Sequence, residues 1–336
     1  MPDLSTSWMG LSLRSPLVIG ASPLSDDLKV LQQLVAAGAG AVVLPSLFEE
    51  QITAEQMGAF QHIDAYVDMD AEARSFLPPT EVFSLGVEPY VERIARTRMS
   101  VDVPLVASLN GVTPGGWTEL AAQLAQAGVD AIELNLYEVA TSLEESGAEL
   151  EARQLEVVAS VLSRVSIPIA VKLSPFYTSV PHFVTRLQAL GVAGVTLFNR
   201  FYQPDVDLEE LDMDRHLVLS TPAELPLRLH ALALLHGRVT VSLACSGGVH
   251  GGQDAARAIL CGASAVQMVA APLLGGPDLL TRGLAELEQW LNQKGYRSVS
   301  EACGVMALDK VADPHALERL NYTRLLQGWR GLSRRR

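Results

Sequence analysis

The sequence predicts a single-domain α/β fold, a (β/α)8 TIM barrel. Two recurring joins and a count of eight strands predict it. The first join runs from a helix end into a buried strand. It reads Ala37-Gly38-Ala39-Gly40-Ala41-Val42-Val43-Leu44 and returns as Ala127-Gly128-Val129-Asp130-Ala131-Ile132-Glu133-Leu134. It returns again as Leu190-Gly191-Val192-Ala193-Gly194-Val195-Thr196-Leu197 and as Cys261-Gly262-Ala263-Ser264-Ala265-Val266-Gln267-Met268. Each copy places glycine where a helix must stop, in the left-handed cap conformation. An apolar β run follows two or three residues later, as in the αβ turns of a parallel sheet. The second join is Val103-Pro104-Leu105-Val106-Ala107-Ser108 and Ile167-Pro168-Ile169-Ala170-Val171-Lys172, with Val239-Thr240-Val241-Ser242-Leu243-Ala244 a looser copy. Proline is permitted at a strand's first residue, where no ladder hydrogen bond is needed.

The elements follow in order. Residues 4–16 alternate weakly and predict a hairpin closing the barrel floor. Strands are expected at about 17–22, 41–46, 104–110, 131–137, 168–174, 194–200, 239–246 and 265–270. Helical patterns separate them, among them 26–37, 117–127, 181–190 and 253–260. Eight βα units favour a closed barrel over an open doubly wound sheet. Long connections run over 47–87, 138–150 and 201–221, each after a strand's C-terminus. In a barrel those loops surround the active site. Beyond residue 290 the chain reads as loop and short helices, ending in an amphipathic stretch at 315–326. The expected division is a barrel core at 4–293 and a helical tail at 294–336, with no second domain.

Composition bounds the function. Hydrophobic residues make up 49% of the chain, enough for a large core, and charged residues 19%. That is below the usual quarter or so, as expected when parallel strands are covered on both faces. A net charge of −13 opposes nucleic-acid binding. The basic cluster Arg334-Arg335-Arg336 reads as a solvated end. Cys245, Cys261 and Cys303 form no CxxC pair, so no metal site, zinc or iron–sulfur, is expected. A cytoplasmic setting is the expectation. The start, Met1-Pro2-Asp3, is not that of a signal peptide, and no long charge-free apolar run predicts a membrane span.

The chemistry is expected at strand ends. Ser246-Gly247-Gly248-Val249 ends one strand, and Gln267-Met268-Val269-Ala270 ends the next. In barrels the loops after the last two strands commonly bind phosphate, through backbone N–H groups and a helix N-terminus. The alternative is a tight turn with no ligand. Lys172 lies in an apolar strand and cannot be buried unpaired. Either it snorkels outward past a helix, or it points into the barrel mouth toward an anion. Asn135 and Asn199 stand at strand ends, where amides are disfavoured but suit the edge of a heterocycle; each could instead cap a loop. Ser22, Ser46, Ser108 and Asn110 also end strands and join the cofactor-facing candidates.

Together these residues resemble the dihydroorotate dehydrogenases, closest to the soluble class 1 type. The resemblance lies in Glu133-Leu134-Asn135-Leu136, in Val171-Lys172-Leu173-Ser174-Pro175, and in Ser246-Gly247-Gly248-Val249 with Gly252-Gln253-Asp254-Ala255. It continues through Cys261-Gly262-Ala263 and Asn292-Gln293-Lys294-Gly295-Tyr296. The resemblance implies an FMN-bearing barrel with the flavin across the strand C-termini. It implies that Gly247 and Gly248 hold the phosphate with the backbone of Val269 and Ala270. Lys172 would stand beside the ring, where the reduced flavin carries charge. Asn135 and Asn199 would touch flavin or substrate, and Ala21, Ser22 and Ser46 would line the ring. The implied reaction removes a proton from one carbon while a hydride leaves its neighbour for the flavin.

The departures fall on the substrate side. The family's base, cysteine or serine, is replaced at the corresponding position by Glu138 in Asn135-Leu136-Tyr137-Glu138-Val139-Ala140. A substrate asparagine is replaced by Ala140, a lysine by Pro45, and a loop asparagine by Glu88. The last strand's glycine and threonine are Val269 and Ala270. Losing a lysine and two amides while gaining carboxylates opposes an orotate-like anion. The expected catalytic set is therefore Glu138 as base with Lys172 and Asn135. Glu138 needs partial burial to hold a proton near neutral pH; the alternative is a solvated loop carboxylate. The expected partners are a small-molecule substrate and an electron acceptor that the sequence does not identify. The resemblance implies a homodimer. Three function classes stay open: an FMN oxidoreductase acting on dihydroorotate or another activated CH–CH or C=C bond, a flavin-free lyase or isomerase gripping a phosphorylated substrate, and a non-catalytic subunit.

Overall fold

The computed structural model describes residues 1–49, 87–111, 114–200, 205–214, 218–310 and 326–327. Most of the 47–87 connection, and all but the last residue of the stretch expected at 315–326, lie outside the described residues. The chain opens with a hairpin of β1 (Thr6–Trp8) and β2 (Leu11–Leu13), paired antiparallel with Trp8 opposite Leu11. Its two-residue turn, Met9-Gly10, has φ of 54° and 78°. Positive φ at both centres is what a type I′ hairpin turn requires.

Eight parallel strands then close a barrel. They are β3 (Leu17–Ile19), β4 (Ala41–Phe48), β5 (Leu105–Asn110), β6 (Ala131–Asn135), β7 (Ile169–Leu173) and β8 (Gly194–Leu197), followed by β11 (Ser242–Ser246) and β12 (Ala265–Met268), which pairs back onto β3. Between β8 and β11 the long loop carries a small antiparallel pair, β9 (Asp205–Asp207) and β10 (Asp212–Asp214). The covering helices are α1 (Leu28–Ala36), α2 (Val87–Ser100), α3 (Pro114–Gln126), α4 (Gly147–Leu162), α5 (Val180–Leu190), α6 (Leu225–Leu235), α7 (Gly252–Leu260) and α8 (Ala270–Lys294), and a short α9 (Val299–Ala302) follows. The four join glycines, 38, 128, 191 and 262, all have φ between 90° and 111°. This is the sequence prediction of a (β/α)8 barrel with an N-terminal hairpin, realised.

Several expected strands are shorter in the structure. The 131–137 strand ends at Asn135 because the Tyr137 N–H turns back to the Asn135 carbonyl at 2.8 Å. The 239–246 strand starts at Ser242, since the Val239 N–H is still bonded to the Leu235 carbonyl at 3.2 Å in the turn that follows α6. The 265–270 strand stops at Met268, and Val269 already caps α8. The loop expected after residue 290 is instead the end of α8, which runs to Lys294 and stops at Gly295 with φ 78°.

The core has two compartments. Outward-facing residues of the strands pack against the helices. Inside the barrel, Val18, Ala41, Val43, Val106, Ala131, Ala170, Ala244 and Ala265 surround Trp8 and Met9 of the hairpin. Small inward residues leave room for the plug: a Cβ on Gly194 would stand 2.9 Å from Met9 Cγ. The Met9 N–H also donates to Ser242 Oγ at 3.0 Å. The floor is thus apolar and filled, and strand parity makes the next inward layer toward the C-terminal mouth Ser108, Glu133, Lys172, Thr196, Ser246 and Gln267. The switch from alanine to polar side chains marks where packing ends and a site begins.

Candidate functional site

A pocket of about 230 Å³ opens at the C-terminal mouth of the barrel. It brings together nine of the sequence candidates: Ala21 and Ser22 after β3, Lys172 on β7, Asn199 after β8, Ser246, Gly247 and Gly248 at the end of β11, and Val269 and Ala270 after β12. Four of the cofactor candidates lie outside its lining. Ser46 and Ser108 bond each other, Oγ to Oγ, at 2.7 Å across β4 and β5. Asn110 faces a neighbouring cavity with Glu138. Asn135 pairs with Lys172 in the β6–β7 register and is 8% exposed. Its Oδ1 has no hydrogen-bond partner among the described residues, a state that is costly for a buried acceptor.

Lys172 does not snorkel outward. It points into the barrel, is 6% exposed, and donates to Glu133 Oε1 at 3.3 Å and Gln267 Oε1 at 3.0 Å. Glu133 is fully buried and also accepts from Thr196 Oγ1 at 2.7 Å and Gln267 Nε2 at 2.6 Å. Glu133 and Gln267 were not among the sequence candidates. The signal was available: each is a polar residue in an apolar barrel strand, the same anomaly that singled out Lys172.

The Gly247-Gly248 turn is pressed against the start of α6. Gly247 and Gly248 have φ of 93° and 78°. A Cβ on Gly248 would stand 2.5 Å from the Leu225 backbone nitrogen, so no larger residue fits without moving a helix. Behind the turn lies Arg228, 4% exposed, another residue not anticipated. It donates to the Ser246 carbonyl at 3.0 Å and the Glu224 carbonyl at 2.9 Å. Burial pulls its guanidinium below the ordinary value, and Glu224 opposes that. Ser220 adds its Oγ as acceptor for the Gly248 N–H at 3.3 Å. On the other side of the pocket α8 starts at Ala270, and its cap residue Val269 offers no side-chain hydrogen bond. The first segment of α8 runs only as far as Gly276, which is non-helical with φ 66°, and Pro272 carries no N–H, so its start can offer a ligand only the Ala270 and Ala271 N–H groups. Among the described residues that line the pocket, Lys172 and Arg200 are basic and none is acidic.

Glu138 stands elsewhere on the rim. With Asn110, Trp117, Tyr137, Arg153 and Gln154 it lines a separate cavity of about 350 Å³. Arg153 on α4 grips it in bidentate fashion, at 2.8 Å and 3.2 Å, and also holds Glu145 at 2.9 Å. Both carboxylates push the guanidinium above its ordinary value. The Glu138 side chain is 35% exposed, partly buried, with its carboxylate tied to Arg153. No cysteine stands ready: burial pushes the Cys245 thiol up to about 12 and those of Cys261 and Cys303 up to about 11. Pro45, where the resemblance expects lysine, offers its carbonyl to the buried Tyr90 hydroxyl at 2.8 Å. Glu88 lies exposed in the first turn of α2.

The chain is similar in sequence to proteins from several organisms. A protein of Endomicrobium trichonymphae named dihydroorotate dehydrogenase B (NAD(+)), catalytic subunit, is 25% identical over 90% of this chain and 97% of its own length. One of Citrifermentans bemidjiense with the same name is 31% identical over 67% of this chain and 75% of its own. A protein of Aeropyrum pernix, provisionally named dihydroorotate dehydrogenase A (fumarate), is 28% identical over 90% of this chain and 97% of its own. The family model described as dihydroorotate dehydrogenase matches residues 4–291, which span the hairpin, all eight barrel strands and most of α8, and the chain belongs to that family.

Proposed function

We propose that this protein is an FMN-dependent oxidoreductase acting on a CH–CH bond, with dihydroorotate as the first substrate to assay. The observation that carries the reading is the pocket joining Lys172, Asn199, the Gly247-Gly248 turn and the start of α8. The residues fit an FMN. The positive-φ turn, closed behind by α6, presents backbone rather than side chain, as a phosphate site needs. The Ala270 and Ala271 N–H groups, at the start of the short first segment of α8, add donors beside it. Lys172 supplies a cation at the inner end, and beside it in the strand register, just outside the lining, stands Asn135 with its unpartnered Oδ1. When bound, FMN supplies the hydride acceptor for such an oxidation.

The chain's own residues then have separable tasks. Gly247, Gly248, Val269 and Ala270 hold the phosphate. Lys172 and Asn135 orient the ring, and Asn199 reaches ring or substrate. Glu138 is the proposed base, its carboxylate oriented by the two bonds from Arg153 and each oxygen keeping a lone pair for a proton. A second reading, that the substrate is another activated CH–CH or C=C compound, is favoured by one observation. The cavity beside Glu138 contains an Arg153 already occupied by two carboxylates, and Pro45 brings no charge. The proposed electron acceptor is a molecule outside the chain. The relatives' names point to NAD+ or fumarate. A partner subunit like those implied by the name catalytic subunit, and a homodimer, are both part of the proposal. No helix among the described residues is long and apolar enough to cross a membrane.

The test is dihydroorotate oxidation with ferricyanide or fumarate as acceptor, in the native protein and in Glu138→Gln. The expected outcome is turnover in the native protein and its loss in the variant, with FMN still bound. Equal turnover in the two removes Glu138 from the mechanism. No turnover in a flavin-loaded native protein moves the substrate to the second reading.

A further inference from the structure

We infer that Glu133, fully buried beneath the pocket, is the positioning and charge-balancing residue for Lys172, and through it sets how strongly the site favours an electron-rich ring. The inference rests on the FMN reading above and deepens it. Four side chains on four strands form one closed network: Glu133 on β6, Lys172 on β7, Thr196 on β8 and Gln267 on β12. The network itself fixes how the Gln267 amide is turned. Its NH2 faces the Glu133 carboxylate at 2.6 Å and its oxygen faces the Lys172 ammonium at 3.0 Å. The flipped amide would set oxygen against carboxylate and NH2 against ammonium, two repulsions in place of two bonds.

The ammonium has three N–H donors. Two are spent on Glu133, beneath the pocket, and on Gln267, which itself lines it. The third is left for the pocket that Lys172 lines. Glu133 therefore aims the lysine. It also offsets it, because a ring above Lys172 meets a cation with an anion directly behind it. The attraction is that of a short dipole and not of a full buried charge. No pocket-lining residue among those described adds a second carboxylate, so Glu133 alone carries this offset. Residues that would merely fill the barrel have no need of this: the layer below is built from alanine and valine.

The test uses Glu133→Gln, nearly isosteric, which keeps an acceptor for Thr196 and Gln267 but removes the charge. The midpoint potential of bound FMN should shift to more positive values in Glu133→Gln and to more negative values in Lys172→Met. Thr196→Val, which alters a hydrogen bond but no charge, should leave the potential near that of the native protein. A second measurement needs no flavin. In urea unfolding of the apoprotein, Lys172→Met should fall well below the native midpoint, and adding Glu133→Gln to it should restore part of the loss. An unchanged or more negative potential in Glu133→Gln overturns the charge-balancing role. Additive losses in the double variant overturn the pairing. A native protein that takes up no FMN sinks the functional reading and the ring-tuning half with it, while the unfolding cycle still decides whether the two charges are coupled.

Discussion

At the scale of single residues, the site depends on groups that have no freedom to change. Gly248 is the sharpest case. Its φ of 78° disfavours any side chain, and the added Cβ would meet the Leu225 backbone. Gly248→Ala should cost about 1–3 kcal/mol of stability through backbone strain. Because the displaced turn is the proposed phosphate cradle, FMN should also bind at least about tenfold more weakly, a loss of about 1.4 kcal/mol. Urea midpoints and a fluorescence titration with FMN check both. Unchanged affinity would separate the turn from the ligand. At this scale the sequence was legible wherever a residue broke a local rule. Lysine in the Ile169–Leu173 strand and paired glycines at a strand end announce themselves. Glu133 breaks the same rule and was read only as part of a motif, because its partners, Gln267 and Thr196, lie on strands far away in sequence. Arg228 was hidden for a different reason: one cation in an apolar helix gives no hint that it will back a glycine turn.

At the scale of elements, the hairpin acts as the barrel's floor. Trp8 is fully buried and sits with Met9 among the inward alanines and valines. Trp8→Ala should lower stability by about 3–5 kcal/mol, the usual cost of emptying a large aromatic site in a core. The denaturant midpoint checks this, and a loss under about 1 kcal/mol would mean the barrel closes without its plug. The barrel order and the hairpin were readable from glycine and proline placement, since those residues act locally. Strand ends were less so. Where β6 stops depends on the Tyr137 N–H folding back, and where β11 starts depends on the turn after α6 that still holds the Val239 N–H. Both are competitions between hydrogen bonds that periodicity does not encode. Glu138 illustrates the same limit: its position after β6 was read correctly, but the helix that delivers Arg153 to it lies fifteen residues on.

At the scale of the whole molecule, the architecture separates two demands. The floor is filled by the hairpin, and stability is concentrated there and between strands and helices. The mouth is left polar, with basic residues and open N–H donors. The resemblance implies that the chain keeps the family's glycine turn and lysine and departs from it at Pro45, Glu88, Glu138 and Ala140. On that proposal a preserved cofactor site stands beside a rewritten substrate site. The cofactor is therefore the claim on which the rest depends. The most direct measurement is the identity and stoichiometry of the ligand released from protein purified with no cofactor added. The account predicts a yellow protein that releases one FMN per chain, or an apoprotein that takes up one FMN with quenched fluorescence and loses that ability in Gly248→Ala. A colourless protein that ignores FMN and instead releases or binds a different phosphorylated compound would contradict it.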